Sequence, residues 1–524
     1  MKTYRHIFAL IFVLTLISPI FAQWQEFLDR LLLETKAEQQ EILIEKIAKA
    51  KPSWQEVAAK LQSITFDPAE RTGVMLRRSL CIDGIERPWV LYVPEGYDPT
   101  EPTPLFVWLH GLVSRAEIHD DPLEYVGRNE FQSLAEKKGW FMIYPMGQWG
   151  ATWWDDVGMA NIKNLVRTVK TEYNIDNDKV WLGGFSDGAS AAFLHAMVDP
   201  SDYAAFVALN GDMGVGSQDG GIHTYSPNLY NTPVYVVTTD EDRLYPSKNM
   251  RPTIDMAMAA GGDIFYRELE GPHDFVYAES ELPLIGRFLE NHPRDPFPTR
   301  IVWETAAQKY GRCRWLAIDR ITSGPTEDWH VDYNVAMVDS RISIGFVPGD
   351  GESIEGTLIG RVVDGDFLAK RIGLQPGDII IKAGPMPIRN LDDLSEFKAG
   401  LKRGDPVELT VKRGADQIVL KGSIPEPRNY LLFERSKPSA LAIAEFASNR
   451  INLKTSAVGA MRILISPAMI NFKQKLTIQV NGNVVYEEKV SPDIAFMLRG
   501  YVISRDPSLI YVAEIEIAPD QEPE

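Results

Sequence analysis

Gly184-Phe-Ser-Asp-Gly188 sets a serine between two glycines in the form G-x-S-x-G. A serine hydroxyl is a weak nucleophile at neutral pH, so it needs a base to take its proton and an acid to orient that base. The setting says more than the pattern. The apolar run Lys179–Leu182 precedes the motif and the helix-prone run Ala189–Val198 follows it, which is the strand–turn–helix of a nucleophile elbow. Small neighbours let strand and helix approach closely, and Ser186 is expected in a strained backbone conformation.

Base and acid should follow in the order Ser, Asp, His, each just past the C-terminal end of a later strand. The run Val234–Thr238 leads into Thr239-Asp-Glu-Asp-Arg-Leu-Tyr-Pro246, and Ile264–Glu268 leads into Glu270-Gly-Pro-His-Asp-Phe275. Asp242 and His273 are therefore the expected acid and base, with Asp240 the competing acid. A solvated acidic turn and an ordinary loop histidine are the blander alternative, but order and position together favour a triad. The oxyanion needs backbone N–H donors. Asp187, after the nucleophile, offers one; Leu112, beside Gly111 in the loop after Leu105–Leu109, offers the other. Trp149, Trp153 and Trp154 follow the run Trp140–Tyr144, and with His110 they are candidates for a substrate-binding wall, although indoles are often core residues. This chemistry needs no metal or organic cofactor, and no Cys/His cluster has zinc spacing.

The elements that must hold these groups alternate between about 73 and 293. Short apolar strands (Trp89–Val93 and Ala205–Leu209 besides those above) interleave with helical stretches at Met159–Glu172, Ala189–Val198, Ser247–Ala260 and Glu281–Asn291. Such alternation predicts a mostly parallel sheet covered by helices. Residues 23–72 read as a helical extension packed on the following domain. Residues 294–340 read as a linker and the first strands of a C-terminal domain. That domain resumes at 426–524, with strands expected at Thr477–Val480, Val484–Glu487, Tyr501–Ile503 and Tyr511–Ile517. Asn481-Gly482 is a hairpin turn signal between the first two. An antiparallel, sandwich-like β region is expected, with the segment between its two parts inserted.

Residues 80–290 resemble the secreted polyhydroxybutyrate depolymerases and feruloyl and acetylxylan esterases of the α/β-hydrolase fold. The matching pieces include Arg87-Pro-Trp-Val-Leu-Tyr-Val-Pro-Glu-Gly-Tyr97, Pro104-Leu-Phe-Val-Trp-Leu-His-Gly111, Tyr144-Pro-Met-Gly147, the Ser186 elbow, Asp242-Arg-Leu-Tyr-Pro246 and Gly271-Pro-His273. The resemblance implies carboxylic-ester hydrolysis through an acyl-enzyme, and it supports Asp242 as the acid. The chain departs from the family in having Leu112-Val-Ser114 after His-Gly and Ala189 after the elbow, both of which bear on pocket shape. Residues 341–425 resemble a PDZ domain. Ser343-Ile344-Gly345-Phe346 matches its carboxylate-binding loop and Gly373-Leu-Gln-Pro-Gly-Asp-Ile-Ile380 its internal run. The resemblance implies capture of a peptide C-terminus as an added strand; a mere spacer domain is the alternative.

Composition bounds the partners. The chain has 524 residues, 45% hydrophobic and 24% charged, which suits several folded domains. A net charge of −18 repels phosphate backbones, so nucleic acid is not an expected partner. Lys2 and Arg5 precede an apolar run from Ile7 to Ile17, and Ala22 offers a small residue for cleavage, so residues 1–22 read as a signal peptide of a secreted or periplasmic protein. No later segment is long and apolar enough to span a membrane. Cys81 and Cys313 could pair in an oxidising compartment, but two separate buried thiols are the favoured reading. The sequence thus favours a secreted serine esterase acting on a small or polymeric ester. A prolyl-oligopeptidase-like peptidase and a PDZ-based binding protein with a vestigial hydrolase are the rival readings.

Overall fold

The computed structural model describes residues 19–115, 117–118, 121–339, 342–349, 356–363, 365–426 and 428–519. Most of the expected signal peptide, residues 1–18, lies outside the described residues. Among the described residues no helix is long and apolar enough to cross a membrane. The chain divides into two compact units, one formed by residues 335–432 and the other by the sequence on either side.

Helices α1 (Pro19–Leu33), α2 (Ala37–Ala50) and α3 (Trp54–Gln62) open the larger unit. Ser53 caps α3 with a reciprocal Ser53–Glu56 capping box. The hydrolase-type region then runs β1 (Gly73–Leu80), β2 (Glu86–Val93), β3 (Thr103–Leu109), α4 (Pro122–Gly127), α5 (Glu130–Lys138), β4 (Phe141–Pro145), α6 (Asp156–Glu172) and β5 (Ile175–Phe185). It continues with α7 (Asp187–Val198), β6 (Ala205–Leu209), α8 (Val215–Gln218), β7 (Val234–Thr239), α9 (Ser247–Ala259), β8 (Ile264–Leu269) and α10 (Ala278–Asn291). The eight strands form one sheet in the order β1-β2-β4-β3-β5-β6-β7-β8. β2 is antiparallel to both of its neighbours, and every pair from β4 onward is parallel. This is the α/β-hydrolase fold.

The central strands are buried along nearly their whole length, as continuous apolar runs in a covered parallel sheet require. Val90, Phe106, Trp108 and Met142 pack with Phe131 of α5 and with Ile285 and Leu289 of α10. Helix α7, which follows Ser186, is buried from Gly188 to Val198.

Strands β9 (Arg300–Thr305), β10 (Arg312–Cys313) and β11 (Leu316–Ile321) follow. The smaller unit comprises β12 (Ala336–Asp339), β13 (Phe346–Pro348), β14 (Thr357–Val362), α11 (Leu368–Ile372), β15 (Ile379–Ala383) and β16 (Met386–Pro387). Helix α12 (Leu391–Ala399) and strands β17 (Pro406–Arg413), β18 (Asp416–Ser423) and β19 (Arg428–Leu431) complete it. β12 and β19 pair as its antiparallel stem. Ile344, Ile359, Leu368, Ile380, Leu394 and Leu409 are among its core residues.

The larger unit then resumes with β20 (Ala440–Ala447), β21 (Arg450–Ser456), β22 (Val458–Ile465), β23 (Leu476–Val480), β24 (Asn483–Glu488), α13 (Ile494–Ser504) and β25 (Ala513–Ile517). One sheet has the order β10-β11-β22-β25 and the other β24-β23-β21-β20-β9, so strands from both sides of the smaller unit share each sheet. The pairing is antiparallel except for β21 with β23. Two expectations fail here. Tyr501–Ile503 is not a strand but part of α13. The Asp493 side chain caps that helix at Phe496 N–H, and Met497, Leu498, Tyr501 and Val502 recur on its buried face at helical spacing. That face, and not the following domain, receives α1–α3: Trp24, Leu28, Ile44, Ile47, Val57 and Leu61 form one cluster with it. Cys81 and Cys313 are buried, unpaired thiols.

Candidate active site

Ser186 stands between β5 and α7 with φ 59° and ψ −120°, a conformation that L-residues rarely adopt and that survives only where the surroundings enforce it. The flanking glycines explain how. A Cβ on Gly188 would meet the Leu109 carbonyl oxygen at 1.9 Å, and one on Gly184 would meet it at 2.4 Å. With hydrogen alone at both positions, β3, β5 and α7 close around the serine. The bend projects Oγ at the C-terminal edge of the sheet.

His273 Nε2 lies 3.0 Å from Ser186 Oγ, and its Nδ1 lies 2.7 Å from Asp242 Oδ2. The carboxylate can only accept, so Nδ1 carries the proton and Nε2 is left as acceptor for the serine hydroxyl. Asp242 is fully buried at its side chain. Its Oδ1 accepts the N–H groups of Leu244 and Tyr245 at 2.7 and 2.8 Å. Its Oδ2 also accepts from the Asn210 amide at 2.9 Å. Burial pushes this carboxyl up, but those donors and the His273 ring outweigh it and hold the group below its ordinary value. Asp240, the competing acid, is instead exposed and accepts the Gly271 N–H at 3.0 Å.

Asn210 and Tyr277 were not singled out by sequence. Asn210 follows β6 with φ 53°, its amide donates to Asp242 and Thr239, and its side-chain oxygen accepts the Tyr277 hydroxyl. The Asn210-Gly211 pair after a strand was the available signal, since Asn tolerates left-handed backbone. Nothing local marks Tyr277, which arrives at the start of α10.

In the loop after β3, Gly111 packs on Ser186, where an added Cβ would sit 3.0 Å from Ser186 Cβ. Leu112 follows at φ 60°. The Asp187 carboxylate accepts the Val113 N–H at 2.9 Å and is also stabilised by the Leu112 N–H. Burial raises this carboxyl above its ordinary value against the pull of those two amides and of His273. The Asp187 N–H lies in the first turn of α7, where no intrahelical acceptor exists.

The proposed wall is divided. Both nitrogens of His110 are engaged: Nδ1–H donates to the Gly111 carbonyl at 2.6 Å and Nε2 accepts the Gly147 N–H at 2.9 Å. Trp153, 1% exposed, donates its indole N–H to the His110 carbonyl. These two residues hold the loops in place. Trp154 is nearly buried, whereas Trp149 is 41% exposed.

In the smaller unit, the Ser343 hydroxyl accepts the Gly345 N–H at 3.2 Å. The Ile344 carbonyl accepts the Ala369 N–H at 2.7 Å, and Ile344 is buried. Gly345 has φ 90°, and a Cβ there would strike Phe367 at 2.1 Å, so only glycine fits. Phe346 begins β13. A family model described as PDZ domain matches residues 334–412. The chain carries a PDZ domain. Within it, Asp378 of the Gly-Leu-Gln-Pro-Gly-Asp run receives Arg413 on both oxygens at 2.7 and 2.8 Å.

Curated relatives match part of the chain. A bifunctional acetylxylan esterase/xylanase of Neocallimastix patriciarum is 31% identical over 125 residues, 23% of this chain and 17% of that protein. Acetylxylan esterase A of Aspergillus oryzae is 32% identical over 98 residues, 17% of this chain and 32% of that protein. The chain thus spans about a third or less of the length of these two relatives. Among solved structures, a thermostable esterase is 20% identical with a TM-score of 0.33, covering 42% of this chain and 63% of that one.

Proposed function

We propose that the chain is a serine hydrolase that cleaves carboxylic esters through an acyl-enzyme on Ser186. The observation that carries this reading is the unbroken run from Ser186 Oγ through His273 to Asp242, with contacts of 3.0 and 2.7 Å. His273 Nε2 takes the hydroxyl proton as Oγ attacks the ester carbonyl. Asp242 holds the ring in its Nδ1–H form and stabilises the imidazolium. The tetrahedral oxyanion is received by the Asp187 N–H and by the Leu112 N–H, which turns to it from the Asp187 carboxylate while Val113 keeps that carboxylate in place. His273 then passes its proton to the departing alkoxide. Water attacks the acyl-enzyme with the same base, and the carboxylic acid leaves. The acetylxylan-esterase likeness supports an ester over an amide bond, and exposed Trp149 offers the substrate a flat apolar face.

The same reading has the chain exported, with its signal peptide cut after Ala22, and has the PDZ domain take a peptide C-terminus at Ser343–Phe346. Recovery of a protein beginning at Gln23 from culture medium or periplasm is the expected result for export; an intact N-terminus inside the cell opposes it. To test the chemistry, the protein is assayed on p-nitrophenyl acetate, butyrate and ferulate beside a dipeptidyl p-nitroanilide. Ester turnover should dominate, and dominant amide turnover would sink the esterase reading.

A further inference from the structure

A cavity of about 440 Å³ lies in the larger unit, outside the triad. Its walls include Trp154 and Asp155 from the loop after β4, and Gly220–His223 from the segment after β6. In the sheet, β4 and β6 stand on either side of β3 and β5, the strands that deliver Gly111 and Ser186. Both loops follow strands whose C-terminal ends lie on the same edge of the sheet as Ser186. Trp154 is also tied to that edge through its neighbour Trp153, whose indole holds the His110 carbonyl beside Gly111. The remaining wall comes from the β-sheet region: Thr305–Ala307 after β9, Tyr310, and Lys437 just before β20.

The lining has a definite chemistry. Trp154, Tyr310 and Ile222 offer apolar and aromatic surface. The acidic groups are already engaged. Asp155 accepts from Thr152 and from the Gly158 N–H, and Asp156 is paired with Lys309. His223 Nε2 is 3.0 Å from the Ser436 hydroxyl. Lys437 is exposed and has no carboxylate partner among the described residues. Burial, with the positive charges of Arg435 and Lys437 and against the Glu434 carboxylate, holds the His223 imidazole below its ordinary value. Arg435 faces Asp332 and the carbonyls of Thr224 and Tyr333, which leaves Lys437 as the cation turned to the cavity.

We propose that this cavity is a binding subsite for a carboxylate-bearing six-membered ring, its face against Trp154 and Tyr310 and its carboxylate on Lys437. Its volume falls in the range of roughly 300–1,000 Å³ typical of small-ligand sites. A uronic acid and an aromatic acid share this chemistry. As part of an ester substrate, which rests on the esterase reading, the ring would be the portion beyond the scissile bond, and the β-sheet region would contribute directly to specificity.

The test is calorimetric titration of the full chain, in its Ser186→Ala form so that no turnover intervenes, with D-glucuronate, 4-hydroxybenzoate and their neutral counterparts methyl glucoside and 4-hydroxybenzyl alcohol. At least one acid should bind, with affinity reduced about tenfold or more by Lys437→Ala and by Tyr310→Ala, and its neutral counterpart should bind correspondingly less well. Binding of glucuronate alone assigns a sugar acid, and binding of hydroxybenzoate alone an aromatic one. No binding of either acid, equal binding of the neutral rings, or indifference to Lys437→Ala would overturn the proposal. If an acid binds while the wild type fails to react with an ester or a fluorophosphonate, the subsite stands and the esterase reading falls.

Discussion

Asp242 holds more than a histidine. It accepts two backbone N–H groups and the Asn210 amide, and these keep it ionised and fixed. Asp242→Asn presents an amide to Nδ1 and favours the wrong imidazole tautomer. A drop in kcat of about 10³–10⁴-fold is expected, with KM little changed; a drop below tenfold would show that His273 is oriented by something else. Asp187 is a positioning residue of a different kind. Its carboxylate acts through the Leu112 and Val113 amides. Asp187→Ala should lower kcat by about 10–100-fold, a fraction of what loss of an oxyanion donor costs, while Asp187→Asn, which retains an acceptor oxygen, should restore most of it. Equal loss in both variants would mean that the charge, not the loop, is what matters. Ser186, Asp242 and His273 could be picked out because each lies on a turn or loop that follows a strand, in a fixed order. Asn210 and Tyr277 could not, because their contact joins a strand end to a distant helix that no local pattern connects.

Helix α7, which follows Ser186, contains an oddity. His195 is fully buried near the end of α7, and neither ring nitrogen has a hydrogen-bond partner among the described residues. Burial, helped by the Lys163 charge, pushes its imidazole down to about 3. The unfolded chain binds this proton near pH 6.5, so between pH 6.5 and 3 the unfolded state holds more protons and stability is lost as pH falls. The slope is about 1.4 kcal/mol per pH unit. His195→Leu should remove this contribution, so urea midpoints at pH 8 and pH 5 should lie closer together than in the wild type; an unchanged gap would mean that the ring is protonated in the folded state. At this scale the α/β alternation could be read because buried parallel strands are continuous apolar runs. Tyr501–Ile503 misled because β-branched residues favour strands locally, whereas the periodic apolar face of α13 is used against helices more than 400 positions earlier in the chain.

Across the larger unit, Arg294 at the end of the hydrolase region is buried against Asp178 at 2.9 Å and Asp506 at 2.7 Å, and Lys170 approaches Asp506 at 3.9 Å. Asp506 lies beyond α13, so this cluster ties the last segment of the chain to β5 and α6. Burial alone would raise the Asp506 carboxyl; Arg294 and Lys170 hold it down instead. Asp506→Ala leaves Lys170 without its buried counter-ion and Arg294 with Asp178 alone. Stability should fall by about 3–5 kcal/mol, read from denaturant unfolding of the full chain, and a change within 1 kcal/mol would show that water compensates them. Such a cluster is not legible in sequence, since its members are separated by hundreds of residues and each alone resembles a surface charge. Ser186 carries the proposed chemistry. The most direct measurement is treatment of the folded protein with a fluorophosphonate, followed by mass mapping of the adduct. One adduct on the peptide holding Ser186, absent in Ser186→Ala, is the predicted result. A folded wild type that stays unlabelled, or carries its label on another residue, would contradict it.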